Sequence, residues 1–541
     1  MRRAAGSVIA MVACKGGKTM IHSTRATGRP RPTRRDVLGM AAALGAGALV
    51  FDAPFARAQV KGGELRVSQY SNPSSLDPST GRSGADHTVL WTIYDTLVDF
   101  SPDLKPMPGL AESWEWENET TLVLKLRQGV TFHDGEPFNS AAVQANFDHA
   151  KNGPRSTIRQ DWASVDSVEA RDDHTVALNL SEPDGALVMV LSDRAGMMAS
   201  PKAIRESGEA GFDRTPVGTG QMKFVKWDDA QQVVTERNES YWREGMPHLD
   251  GITFVIITDN QTGLRSVLSG QNNFVYRVPP VRVEEVSKNP DFTTYIGPQL
   301  YVQMVYFNLS EGRGPMEDVR VRQAINYAMN KEAYNTIVTS GNGEIAHCQF
   351  PKATEAYTDE IGAMYPYDPD RAKALLKEAG FGGGLKLVSN HYSDPQSAQR
   401  MEIIAAMLEA VGITLENTVA AVAQSNKTWN EGVGDIHLSA WTGRPDPAMT
   451  LSLLFHKNAY YNKGGSEPSV ELTEAIDETR RLVDAEKRME SIHRAIRLER
   501  ENAMCLPMVF EPQIITHANN VKGWEPNIIG KPRYGGMWME S

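Results

Sequence analysis

Short strand-like runs stand near both ends of the chain, at Glu64–Ser68 and at Met508–Ile515, and the pattern between them changes character once. Up to about residue 300 alternating, strand-like segments dominate; afterwards strands alternate with amphipathic helices. A chain that returns at its end to the pattern of its start points to two lobes joined by more than one crossing.

Several elements read clearly. Leu122, Leu124 and Leu126 face one way and Lys125 and Arg127 the other, the mark of a half-buried strand. Residues 164–180 give two more strands, and Ile252, Phe254 and Ile256 alternate with Thr253 and Val255. Residues 87–98 read as a helix, and Asn139 or Ser140 caps another through Phe147. Val321, Ala324, Ile325 and Ala328 fall on one helical face behind Asp318. Ala372, Leu375, Leu376 and Ala379 repeat the pattern, with Asp368 as cap, Pro369 in the first turn and Gly380 just past the end. Ile403, Ile404, Met407, Leu408 and Val411 form a third stripe, stopped by Gly412, and two polar amphipathic helices follow near 470–503.

The charge is unevenly placed. Residues 1–58 hold ten Lys and Arg against Asp36 and Asp52, a net of +8 within an overall −11, so the other 483 residues carry −19. An acidic bulk argues against a phosphate-backbone partner, and no nucleic acid is expected. The basic segment reads as an export signal. Arg34-Arg35 precedes an uncharged run, Val37–Phe51, too short to span a membrane, and Ala56-Arg57-Ala58 offers small residues for cleavage before Gln59. The paired arginines resemble a twin-arginine signal, with an ordinary secretory signal as the alternative. Translation starting at Met11 or Met20 would fit the long basic region. Mean hydropathy is −0.39, against a multi-span membrane protein. Of three cysteines, Cys348 and Cys505 remain after cleavage, either as a disulfide or as two buried thiols.

Eight segments in one order then resemble a known family. They are Leu76-Asp77-Pro78, Tyr94–Val98, Ala111–Glu115, Leu126–Gly135 with Pro137-Phe138, Pro216–Gly220, Glu236–Asn238, Tyr241-Trp242 and Asp318–Ile325. Together they look like the solute-binding proteins of dipeptide/oligopeptide/nickel-type ABC transporters (extracellular solute-binding protein family 5), over essentially all of 62–540. The resemblance implies an α/β, two-lobed periplasmic binding protein fold with an inserted α/β subdomain and a hinged ligand cleft. By analogy the main lobe is 59–93, 215–300 and 513–541, the inserted subdomain 94–214 and the second lobe 301–512. The expected partners are a small-molecule or peptide ligand and an inner-membrane ABC permease, and the expected protein is a periplasmic monomer. Most quoted motifs read as architecture, including a satisfied His133 and a solvated helix start at Arg320 and Arg322.

Specificity is sought after His437–Ala440, in Trp441-Thr442-Gly443-Arg444-Pro445-Asp446-Pro447. Peptide-binding members of the family have a Trp like Trp441 lining the cavity and an Asp three residues on, pairing with the peptide ammonium. Here that position is Arg444, whose planar fork suits carboxylate or phosphate. Arg444 either contacts an anionic ligand group or pairs with Asp446; alternatively Asp446 takes the ammonium beside Arg444, giving a site for zwitterions. Arg194 is a second candidate, and Tyr70 and Ser74 follow the first strand, where the family chain passes the cleft floor.

Two other readings compete. One is a carrier of a metal chelate or haem-like ligand on the same fold; the histidines are dispersed and His347-Cys348 is the single adjacent pair of soft donors, so no metal-ligand set is expected. The other is an exported enzyme. No CxxC, HExxH or Gly-x-Ser-x-Gly stands in the chain, and Gly380–Gly384 follows a helix and precedes a strand, the reverse of a dinucleotide loop. Glu112 and Glu115 have only a common surface spacing. No catalytic residue and no cofactor is expected.

Overall fold

A computed structural model describes residues 61–540 apart from 82, 311, 313, 460 and 463–468; the export signal of 1–58 lies outside the described residues. Three sheets organise it. A seven-stranded sheet runs in the order Phe292–Gly297, Gln513–Ala518, Phe274–Tyr276, Glu64–Gln69, Gly251–Ile256, Gln232–Arg237, Met222–Asp228. A six-stranded sheet runs Glu344–Ile345, Cys505–Phe510, Val302–Phe307, Ile436–Trp441, Leu385–Tyr392, Ile413–Ala420. A four-stranded antiparallel sheet, Ala111–Asn118, Thr121–Leu126, Thr175–Leu180, Val165–Asp172, is inserted in sequence between the strands Glu64–Gln69 and Met222–Asp228 of the seven-stranded sheet. Each sheet has its own apolar core.

The chain crosses between the two large sheets twice, from Gly297 to Val302 and from Phe510 to Gln513. The run Met508–Ile515 is therefore two strands, not one. Glu511-Pro512 separates them, and they join different sheets. Pro507 sits inside the inner strand Cys505–Phe510, where it cannot donate to the ladder; the register slips at Gln303/Met304, opposite it, and absorbs the defect.

Local rules account for most elements. Asp318 caps Val319–Tyr327, Asp368 caps Pro369–Glu378 with Pro369 at its start, and Asn139 caps Ser140–Asn152. The first helix is Gly84–Ile93, not 87–98, because Ser83 and Asp86 form a capping box that starts it early. In Thr121–Leu126 the three leucines are buried and Lys125 is exposed, as a half-buried strand requires; Val123, 4% exposed, is covered as well. Arg322 is not a solvated residue. It is 3% exposed and donates to the carbonyls of Met316, Glu317 and Asn502. Arg320 stays at the surface, paired with Asp318. His133 Nε2 lies 2.8 Å from the Gly220 carbonyl. Cys348 and Cys505 are buried free thiols.

Burial holds the imidazoles of His133, His347 and His437 down to about 4. An unfolded imidazole titrates near 6.5. The folded protein thus refuses protons that the unfolded chain takes up, so this stability is complete above about pH 6.5 and is lost as pH falls toward 4. The urea midpoint is expected to drop across that window. His437→Gln is expected to flatten the drop, since His437 is 3% exposed and stacked on Trp429 at 5.2 Å.

Candidate ligand cleft

Open α/β sheets bind ligands beyond the carboxyl ends of their parallel strands, where backbone and loop groups are left unpaired. Both large sheets present such ends. In the seven-stranded sheet Glu64–Gln69 runs parallel to Phe274–Tyr276, and the next residues are Tyr70 and Arg277. In the six-stranded sheet Leu385–Tyr392 runs parallel to Ile436–Trp441, and the following loop carries Thr442, Gly443 and Arg444.

Arg277 holds a left-handed backbone, φ 65°, a conformation a bulky residue adopts only when its surroundings enforce it. The guanidinium lies 3.9 Å over the Tyr70 ring and 5.7 Å from that of Tyr301. Tyr301 opens a polar cavity of 360 Å³ at the ends of the six-stranded sheet, with Gln303, Tyr392, Arg400, Ser439 and Thr442. Glu511, at the second crossing, accepts from Gln303 and, at 2.8 Å, from Arg400. The cavity wall is thus tied to the segment about which the lobes would turn.

Three further cations join Arg277. Lys531 comes from the C-terminal segment, Arg194 from the loop after the four-stranded sheet and Arg444 from the six-stranded one. The Lys531 ammonium is held down to about 8, first by burial; Asp193 opposes this, and Arg444, Arg194 and Arg277 add to it. Burial also pulls the Arg194 guanidinium down, against Asp193 and Asp161 and with Arg444. The Lys531 stem and the Tyr70 hydroxyl border the same face of Gly84, which sets Lys531 beside Arg277, and Arg194 and Arg444 act on Lys531 through space. Among the described residues none of the four has an ion-pair partner within 4 Å, whereas Asp193 is bound to His87 at 2.9 Å. Arg194 donates to Thr157 at 3.4 Å and Arg444 to the Gly443 carbonyl at 2.9 Å. Like charges gathered without direct ion pairs raise the free energy of the empty site; Asp193 offsets part of this at Lys531, Asp193 and Asp161 at Arg194 and Glu511 at Arg277, and an anion relieves the rest. A cavity of 390 Å³ near Trp91 differs in this respect: Asp99 binds both of its arginines, Arg243 at 2.9 Å and Arg533 at 2.7 Å.

The residues singled out in the sequence divide as follows. Arg194, Arg444 and Tyr70 stand with the cations. Trp441 is a core residue, 3% exposed, donating to Thr450 at 3.2 Å, with its face 4.8 Å from the Arg444 guanidinium. Asp446 does not pair with Arg444. It is 2% exposed, caps Pro447–Phe455 and binds Arg488 at 2.6 Å. Ser74 is occupied by Asp86, through both its amide and its hydroxyl at 2.6 Å. Arg277, Lys531, Tyr301 and Arg400 were not singled out. The one sequence signal at Arg277 is its position directly after a short apolar strand. Lys531 gives no signal at all.

A family model described as bacterial extracellular solute-binding proteins, family 5 middle, matches residues 105–462. The glutathione-binding protein GsiB of Pectobacterium atrosepticum is 33% identical over 389 residues, 70% of this chain and 74% of that protein. Among solved structures, DppA of Helicobacter pylori in complex with the peptide STSA superposes with a TM-score of 0.77 at 23% identity, covering 89% of this chain and 99% of that one. NikA of Brucella suis in complex with Fe(III)-EDTA gives 0.77 at 25%, covering 87% and 99%. The chain shares the two-lobed fold of these neighbours. The chain belongs to the family 5 bacterial extracellular solute-binding proteins, the binding components of ABC importers.

Proposed function

We propose that this protein captures a small, net-anionic, carboxylate-bearing and peptide-like solute in the periplasm and delivers it to an inner-membrane ABC permease. The observation that carries this reading is the set of four cations without direct ion pairs: Arg277 stacked over Tyr70, Lys531 beside it from the C-terminal segment, Arg194 from the inserted subdomain and Arg444 from the six-stranded sheet. A ligand ammonium would meet Arg444 and be repelled; a carboxylate would meet a planar donor fork. The relative's printed name, a glutathione-binding protein, supports the same chemistry, since that tripeptide carries two carboxylates and a net negative charge.

Calorimetry tests it with glutathione, its diethyl ester and trilysine. Glutathione is expected to bind, the ester to bind at least tenfold more weakly, and trilysine not at all. Ester binding as tight as glutathione would overturn the anion reading.

A pH dependence follows. An anion binds the protonated Lys531 preferentially, so its pKa rises from about 8 on binding. Affinity is constant below pH 8 and falls above it, by up to tenfold per pH unit until the bound-state pKa is reached. Titrations at pH 7, 8 and 9 measure this, and Lys531→Gln is expected to remove the dependence.

The lobe division proposed from the resemblance, 59–93, 215–300 and 513–541 against 301–512 with 94–214 inserted, is supported by the membership of the three sheets. Export through the Arg34-Arg35 signal, cleavage before Gln59, a monomeric state and the absence of catalysis complete the proposal. N-terminal sequencing of periplasmic protein is expected to begin at Gln59; a start elsewhere would displace that cleavage site.

A further inference from the structure

The four-stranded subdomain touches the second lobe at a built, buried junction. Asp184, 1% exposed, accepts both Nε, at 3.2 Å, and Nη2 of Arg480, on helix Val470–Arg481. Its remaining valences are filled by Ser164, at 2.7 Å, and the Ala186 amide, at 3.1 Å. The next residue, Gly185, donates its amide to the Arg480 carbonyl at 2.6 Å. A side chain at Gly185 would collide with the Leu482 carbonyl and lie 3.0 Å from Arg488 Cδ. From the opposite side Met449, on helix Pro447–Phe455 of the second lobe, is buried within the subdomain's own apolar core.

This junction is one residue away from the cleft loop. Arg488, which backs onto Gly185, donates Nε to the Thr479 carbonyl at 2.7 Å and Nη2 to Asp446 at 2.6 Å. Asp446 caps the helix whose preceding loop carries Arg444. A ligand-independent contact therefore fixes the element that presents a cation to the solute. A buried ion pair contributes little net stability but strongly specifies geometry, since separating it leaves a desolvated charge.

We propose that Asp184, Gly185 and Arg480 form a latch that holds the subdomain against the second lobe, and that through Arg488 and Asp446 it positions Arg444 and favours the closed cleft. The latch residues touch no solute. They act by raising the fraction of protein in the binding-competent form, and apparent affinity scales with that fraction. The part that concerns Arg444 rests on the anionic reading of the cleft; the latch itself does not.

The test uses the mature chain and three variants, Arg480→Met, Arg480→Lys and Gly185→Ala, each first shown to be folded by circular dichroism. Small-angle scattering of ligand-free protein is expected to give a larger radius of gyration for Arg480→Met and Gly185→Ala than for the parent or Arg480→Lys. With glutathione as probe, dissociation is expected to quicken at least tenfold in Arg480→Met and Gly185→Ala, association to change little, and Arg480→Lys to stay within threefold of the parent. Unchanged radius and unchanged dissociation in Gly185→Ala would overturn the latch even if Arg480→Met failed to fold. Should the parent not bind glutathione, the anionic reading fails by itself and the scattering comparison alone decides the latch.

Discussion

Arg444→Glu is expected to reduce glutathione affinity on the order of a thousandfold, and Arg444→Ala by about 10- to 150-fold. The alanine figure is the loss of one charge-assisted hydrogen bond in a desolvated site, about 1.5–3 kcal/mol. Reversal adds repulsion of similar size between two like charges. The loop should survive both changes. Among the described residues the Arg444 side chain reaches the neighbouring Gly443 carbonyl and the Trp441 face, while Asp446, bound to Arg488, continues to cap its helix. Gly443 itself is less tolerant: its φ is 71° and an added Cβ would collide with Leu300, in the first crossing. Calorimetry on Arg444→Ala and Arg444→Glu, with thermal unfolding as control, decides the matter. Parent-like affinity in the glutamate variant would remove Arg444 from the site.

The largest loss of stability is expected at Arg500, fully buried at the end of helix Ala485–Glu501. Arg500 and Glu499 are both 0% exposed and lie 3.6 Å apart. Arg500 donates to Asn326 at 2.6 Å and to the Cys505 carbonyl at 3.2 Å, with its guanidinium 5.0 Å from the Tyr365 ring. Lys331 shares the cluster. Burial and then Arg500 hold its ammonium down to about 7, and it donates to the Ala346 carbonyl at 2.8 Å. Arg500→Met strands Glu499 without its counter-ion and is expected to lower stability by about 3–5 kcal/mol. Adding Glu499→Leu removes the stranded charge and should recover most of the loss. Urea unfolding followed by tryptophan fluorescence measures both. A single variant as stable as the parent would show that the cluster carries no net stabilisation.

Much of the fold was legible because its signals are local. Asp368-Pro369 at a helix start and Gly380 at its end satisfy or release backbone groups within a few residues, so a short window contains the whole cause. The α/β class and the two-lobed order followed from periodicity and from a family pattern spread along the chain. Signals failed where the partner was distant. Leu122–Leu126 alternates as a half-buried strand does, yet Val123 on the Lys125 face is buried too, which the alternation does not tell. Arg322 sits in a helix start that reads as solvated, and the Asn502 carbonyl that binds it is 180 positions away. Met508–Ile515 is one apolar run, and only the two sheets divide it.

The cleft shows the same division. Residue type alone marks Arg444 as suited to an anion, because a guanidinium cannot shed its charge or reverse its hydrogen-bonding sense. Whether it spends its donors on Asp446 could not be read from a two-residue spacing; Arg488, on another helix, holds that carboxylate. Most helices and strands, the α/β class and the family were readable along the chain, since these rest on local hydrogen bonding, hydrophobic period and ordered motifs. That Arg194, Arg277, Arg444 and Lys531 come together without direct ion pairs is visible in three dimensions alone. The reason is physical: electrostatic energy depends on distance through space and on burial, and neither is a function of separation along the chain.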